Sequence, residues 1–554
     1  MTFFADIIIE NGAVLTMDAA RPQAQAVAIG GNRIIRVGSV ADCAALRGPD
    51  TRIIDAAGAT VLPGFNEAHL HIFGGGVSLS QMSVAGVKGI EPLRARLAAY
   101  REANPQAAFI VAGSANYDLI TGERSPLVGD LDEVCPDVPL LVYAADHHTA
   151  WANSAALKAA GIENGADVGP GSEVVVDGNG RATGELREAP AINLVNSLSS
   201  SGGRDVLGAI TTAEECGITA EQRAQDMEKI REALQYCVQF GITSIQNMDG
   251  NYYQLDMLRE LASRGDLPIR VRMPYLHSPG KDVTELRKAA AWRQEFESSF
   301  LTSDFVKIFA DGVVESGTAY LVGSYADAPG ENGPPLFSDT DMTDAIVLAD
   351  SLGLQVAVHA IGDGAVRQVL NAYEAAKAHS GRSDARHRIE HVELLTDEDF
   401  PRFAELGVVA SMQPAHPPGA MDFPAETYLP RIGPEREHTA FRTRELLDSG
   451  TALVFSSDWP VARLAPLDSI AAAVNRKPCG TRGRDQSVTL MQALSAYTAA
   501  GAWVEFKENQ KGRLAPGFLA DIVILKADIT ALPTEELPHA GIRMTLCDGK
   551  VIYG

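Results

Sequence analysis

The sequence predicts an α/β protein, built as an eight-stranded parallel (β/α)8 TIM barrel with an inserted subdomain and a small β-sandwich formed by both chain ends. Three observations carry this. Apolar strand-like runs alternate with longer amphipathic stretches through the middle of the chain. Both ends are rich in short β patterns separated by turns. The length, 554 residues, exceeds what one core holds, since single cores stop growing near roughly 250–300 residues.

In the middle, residues 305–309, 355–359 and 452–458 are near-continuous apolar runs, the pattern of parallel strands buried on both faces. Helical patterns at 340–352 and 363–378 lie between them, and such alternation marks a parallel sheet. At this length a closed barrel is the expected form, spanning 63–504. The stretch from about 74 to 230 is too long for one barrel loop, so it is expected to cap one side of the site. At the N-terminal end, 1–9 reads as a short strand. The turns Asn11-Gly12 and Gly30-Gly31-Asn32, and Asp548-Gly549 near the other end, read as hairpin chemistry. Residues 1–62 and 505–554 are therefore assigned to one sandwich.

Apolar residues make up 46% and charged residues 21%, values ordinary for a soluble globular protein. A net charge of −24 without a basic stripe argues against a nucleic-acid surface. No apolar run approaches the roughly 18–20 residues that span a bilayer, and the N-terminus lacks a basic region before its apolar stretch. Cys43, Cys135, Cys216, Cys237, Cys479 and Cys547 include no Cys-x-x-Cys pair, which suits free thiols in a reducing compartment. The expectation is a cytoplasmic protein acting on a small molecule, with no nucleic-acid or membrane partner and a homodimer as the open quaternary option.

Parallel barrels place chemistry at the C-terminal ends of their strands, and five such points occur in order. After Val61-Leu62-Pro63-Gly64-Phe65 come His69 and His71; residues i and i+2 of an extended strand share a face, so both imidazoles can meet one ion. Lys307 sits inside Phe305-Val306-Lys307-Ile308-Phe309. It reads either as an edge-strand lysine turned to solvent or as a lysine converted by CO2 to a carbamate bridging two ions. His359 and His391 each end an apolar run, and neutral imidazole suits a borderline divalent ion. Asp458 follows Val454-Phe455-Ser456-Ser457, either capping the next helix or binding an ion and accepting a proton.

Together with Gly241-Ile242-Thr243-Ser244-Ile245, Ala310-Asp311-Gly312, His359-Ala360-Ile361-Gly362-Asp363, Arg388-Ile389-Glu390-His391, Ser456-Ser457-Asp458-Trp459-Pro460 and the closing Gly512–Asp521 segment, this order resembles the amidohydrolase superfamily. The branch it resembles is amidohydrolase family 3, which includes the N-substituted formamide deformylases. The resemblance implies a distorted barrel with one or two divalent ions, zinc by default. It places His69, His71 and Asp458 on the deeper ion, His359 and His391 on the outer one, and carboxylated Lys307 between them; without that modification one ion remains. It implies hydrolysis of a C–N bond in an amide, formamide or cyclic amide by metal-held hydroxide, with Asp458 moving the proton. A lyase or isomerase on the same scaffold, or a binding or regulatory protein retaining the fold, stands as the alternative.

By the same resemblance His148, in Asp146-His147-His148-Thr149-Ala150-Trp151, faces the substrate; its other reading is structural. Where the family usually has Asp two residues before the first histidine, this chain has Glu67. Trp459, Phe73 and Trp151 suggest an apolar or aromatic substituent, with Trp459 assigned to the substrate pocket. The insertion and the loops 317–335 and 413–442 are expected to line that pocket.

Overall fold

The computed structural model describes residues 4–120, 124–169, 171–212, 217–421 and 423–554, so Cys216 and the first three residues lie outside it. At its centre eight strands form one parallel sheet: β1 (Phe65–Leu70), β2 (Ile242–Asn247), β3 (Arg270–Leu276), β4 (Leu301–Phe309), β5 (Gln355–Ala360), β6 (Arg388–His391), β7 (Val409–Met412) and β8 (Leu453–Phe455), neighbours in chain order. The register pairs Lys307 of β4 with Ala357 of β5, and Ala360 of β5 with His391 of β6. The sheet nearly closes. Beyond the last strand, the Asp458 N–H donates to the His69 carbonyl at 3.0 Å and the His71 N–H to the Trp459 carbonyl at 2.8 Å, joining the end of β8 to the end of β1.

Helices cover the strands and stop where local chemistry dictates. Ser338 caps helix Asp339–Ser351 by accepting from the Asp341 N–H, and Gly381 ends Asp363–Ser380 in the left-handed region (φ 70°) that favours glycine. The sequence placed both helices within two residues.

Between β1 and β2 the chain makes a six-stranded mixed sheet, ordered Glu173–Val176, Ala182–Arg187, Thr149–Ala152, Leu140–Ala144, Ile110–Ala115 and Met82–Ser83. Alternate residues point to opposite faces, and each face has its own core: Ile110, Leu140 and Trp151 on one, Val111, Leu141 and Ala150 on the other. The long helix Ala220–Gln239, opened by a Thr219/Gln222 capping box, returns the chain to the barrel.

Both ends of the chain contribute to a pair of smaller sheets, one of four strands and one of six. Ile9, Val27 and Ile29 of the first pack with Val14, Val61, Ile522 and Ile524 of the second. Gly30-Gly31-Asn32 and Asp548-Gly549 do turn antiparallel hairpins. Asn11-Gly12 does not. Strand Ile7–Glu10 pairs in the four-stranded sheet and Ala13–Leu15 in the other, because Val14 must reach the facing layer of the core. All five described cysteines are free and buried. Among the described residues no helix is long and apolar enough to cross a membrane.

Candidate metal centre and its cavity

His69 belongs to β1, whose six residues are all buried. His71 lies just past the strand, at the start of helix Ile72–Ser78. Each ring is oriented by a carboxylate from another strand. The His69 Nδ1–H donates to Glu390 Oε2 at 2.6 Å, and the His71 Nδ1–H to Asp249 Oδ1 at 2.8 Å. With both Nδ1 atoms acting as donors, the Nε2 atoms of the neutral rings present lone pairs. They face Asp458 Oδ1 at 3.3 and 3.4 Å, an oxygen that has no hydrogen bond. Burial opposes a charge on His71, yet Asp249 and Asp458 raise its pKa to about 9. The point where the lone pairs converge thus attracts positive charge.

Two donor groups share Asp458: His69, His71 and Asp458, and His391, His416 and Asp458, each with ligand atoms within 4.8 Å of one another. Nitrogen and oxygen donors in this number suit a borderline divalent ion. Burial would push Asp458 upward, but His69, His71 and His391 hold its carboxyl well below the ordinary range. Its backbone takes φ 61°, uncommon outside glycine and tolerated best by Asp and Asn. Its side chain faces His69 and His71 rather than capping a helix.

His359 and His391 sit side by side, with ring centroids 4.5 Å apart. Burial drives both pKa values far down, so both are neutral. The His359 Nε2–H donates to the Gly312 carbonyl at 3.1 Å, and the His391 Nδ1–H to Gln413 Oε1 at 2.9 Å, which leaves one bare nitrogen on each. Lys307 is fully buried, so the solvent-exposed reading of this lysine fails. Its Nζ has no hydrogen-bond partner and lies 4.5 Å from the Phe309 ring centroid. Burial lowers its pKa to about 8 against the pull of Glu390 and Asp458. Lys307 and His359 belong to neither of the two donor groups.

Glu390 is the hub beneath the centre. Arg388, fully buried, donates to Glu390 Oε1 at 2.5 Å and also reaches Gln246, the Ala68 carbonyl and Ser411. Burial alone would raise Glu390, but Arg388 and His69 bring its pKa far below the usual carboxylate range. Glu67 does not touch a metal-facing histidine. Its Oε1 accepts from the Ser457 N–H and hydroxyl, so it braces the segment that presents Asp458, and burial raises its pKa to about 8.

A cavity of about 410 Å³ opens above these groups, with His69, His71, His359, His391 and Asp458 in its floor. His148 lines it, 5.4 Å from the His359 ring, its Nδ1–H donating to Glu188 Oε2 at 2.7 Å. Burial works against its charge, but Glu188 overrides this and raises it to about 9. The insertion supplies much of the wall, as expected. Trp459 does not line the cavity: it is buried against Tyr236, at 5.4 Å, and over Gly75. Phe73 and Trp151 are likewise in cores, and among the described residues neither 317–335 nor 413–442 contributes to the wall. A Cβ on Gly75 would lie 2.3 Å from the Trp459 ring. Gly75→Ala is expected to destabilise the protein by about 1–3 kcal/mol through overpacking, measured by chemical denaturation.

Sequence reasoning missed Asp249, Gln413 and His416 and gave Glu390 no role. Asp249 had a signal, a carboxylate just past the β2 run. His416 carries no sequence signal that separates a ligand from an ordinary core histidine.

A model of the amidohydrolase family matches residues 52–553. Among relatives, the chain is 29% identical to Protein LONG AFTER FAR-RED 3 of Arabidopsis thaliana over 99% of this chain and 92% of that one. It is 27% identical to N-substituted formamide deformylase of Arthrobacter pascens over 100% and 99%. A solved structure, an uncharacterized metal-dependent hydrolase from Pyrococcus horikoshii, superposes with a TM-score of 0.72 at 25% identity, covering 95% of this chain and 99% of that one. Fold, sequence and donor set agree: the chain belongs to the amidohydrolase family.

Proposed function

We propose that this hydrolase cleaves the C–N bond of a small amide, formamide or cyclic amide at a centre of two divalent ions, zinc by preference. The observation that carries the reading is the convergence of His69 Nε2, His71 Nε2 and the unbonded Asp458 Oδ1 on one point at the barrel mouth. His69, His71 and Asp458 would hold the deeper ion, His359 and His391 the outer one, with Lys307 between them. When bound, divalent ions polarise a carbonyl and bring the pKa of water from 15.7 toward about 7. Full retention of these ligand types weighs against a binding protein that merely kept the fold.

The chain's own groups do the rest. Glu390 and Asp249 hold the two imidazoles with Nε2 toward the centre. Asp458, kept ionised, accepts the proton of the attacking water and returns it to the departing amine nitrogen. His148, charged and clamped by Glu188, offers a donor on the cavity side toward the substrate carbonyl. Lys307, with its pKa lowered to about 8, has an appreciable fraction of free amine near neutrality. Nζ then adds to CO2 and loses a proton, giving an anionic carbamate where the structure shows an unpartnered buried nitrogen.

The reading is tested by amine release from a panel of N-formyl, N-acyl and cyclic amides with zinc-loaded protein; a panel yielding CO2 or an isomer instead would point to the other chemistry. The carboxylate behind His71 gives a separate check. Asp249→Asn should lower metal affinity by about 10–100-fold, read by competition with a chromophoric chelator, because oriented histidine ligands depend on such partners.

A further inference from the structure

Glu188 comes from the inserted subdomain, where it opens helix Glu188–Asn196. Its backbone takes φ 66°, a left-handed conformation that residues other than glycine rarely adopt and that clusters at functional sites. Its own N–H donates to the His148 carbonyl at 2.7 Å. The two carboxylate oxygens divide their partners. Oε2 accepts from the His148 ring, and Oε1 accepts from the Thr318 hydroxyl at 2.7 Å.

Thr318 lies in the loop that follows β4, 130 positions further along the chain. Its hydroxyl also accepts from the Val313 N–H at 2.9 Å, and its carbonyl accepts from the Gly312 N–H at 3.1 Å. These bonds close residues 312–318 into a turn that directs the Gly312 carbonyl at His359 Nε2. A carbonyl can only accept, so Nε2 must carry the ring proton and Nδ1 is left bare. The packing is close. A Cβ on Gly312 would lie 2.1 Å from Thr318 Oγ1 and 2.3 Å from Glu188 Oε1. Glycine at this position lets the carboxylate come directly against the turn.

We infer that Glu188 is a positioning residue for His359 as well as for His148. Through Thr318 it holds the turn whose carbonyl fixes His359 as the Nε2–H tautomer, with Nδ1 as the nitrogen free for an ion. The inference rests on reading His359 as an outer-ion ligand for its effect on metal, but not for its effect on the tautomer. It makes the inserted subdomain a support of the metal centre and not only its cover. Partners that orient histidine ligands in this way are worth about 10–100-fold in metal affinity.

The test uses the full chain labelled with ¹⁵N-histidine, the His359 signals being identified by their loss in His359→Gln. In the metal-free protein His359 should be a single Nε2–H tautomer. Glu188→Ala and Thr318→Val should each give a mixture of tautomers. Each should also weaken the less tightly held zinc by at least about tenfold, read by competition with a chromophoric chelator. Glu188→Gln, which keeps an oxygen for the Thr318 hydroxyl, should restore most of that affinity. The double variant should lose no more than either single one, because the two residues act in series. A folded Glu188→Ala protein that keeps the single tautomer would overturn the inference, and so would additive losses in the double variant. Should Glu188→Ala not fold, Thr318→Val with Thr318→Ser as its rescue decides the same point, and an unchanged tautomer in Thr318→Val overturns the inference. Mixed tautomers in a protein that binds no zinc would sink the metal reading and leave the positioning role standing. Two bound zinc ions with an unchanged tautomer would do the reverse.

Discussion

Asp458→Asn is expected to lower kcat/KM by about 10⁴-fold, the upper range for losing a general acid–base group, and to weaken the deeper ion as well. The amide keeps the size and one oxygen of the side chain but has neither the charge that draws His69 and His71 to Oδ1 nor the basicity to take a proton. Loss should fall on kcat more than on KM, since the step removed is proton transfer. Metal content by atomic emission should fall in the same preparation. A variant with full metal and near-normal turnover would show that Asp458 neither binds nor transfers.

Lys307→Ala is the second large effect. The proposed bridge predicts loss of the outer ion and a fall in kcat of about 10³-fold, comparable to removing a major charge-stabilising group. The Nζ has no hydrogen bond to lose, so the simplest structural expectation is modest destabilisation, chiefly from the cavity left by a buried side chain. Short carboxylic acids, such as acetate or propionate, should partly restore activity to the alanine variant by filling the carbamate position. A variant that keeps two ions and full activity would remove the carbamate from the mechanism.

How far the sequence reached follows from the range over which each signal acts. Buried parallel strands announce themselves locally, so the runs around Lys307, His359 and Asp458 and the helices between them were legible. The spacing of His69 and His71 was legible too, although His71 lies beyond the end of its strand rather than on it. What orients these residues was not. Glu390 lies 321 positions from His69, and Asp249 178 positions from His71; such pairings exist only after the barrel closes. Trp459 was misplaced for a related reason. An aromatic residue after a site carboxylate reads equally well as wall or as core, and its packing against Tyr236 and over Gly75 distinguishes them. The apolar part of the cavity lining comes from other residues, Val206 and Ile210 among them.

The central claim is a divalent-metal hydrolase centre at the barrel mouth. Its most direct measurement is metal content per chain after zinc-supplemented expression, paired with amine release before and after chelation. Two ions per chain, loss of activity on chelation and recovery on adding zinc are the expected results. Fewer than one ion per chain, with turnover indifferent to chelator, would contradict the account.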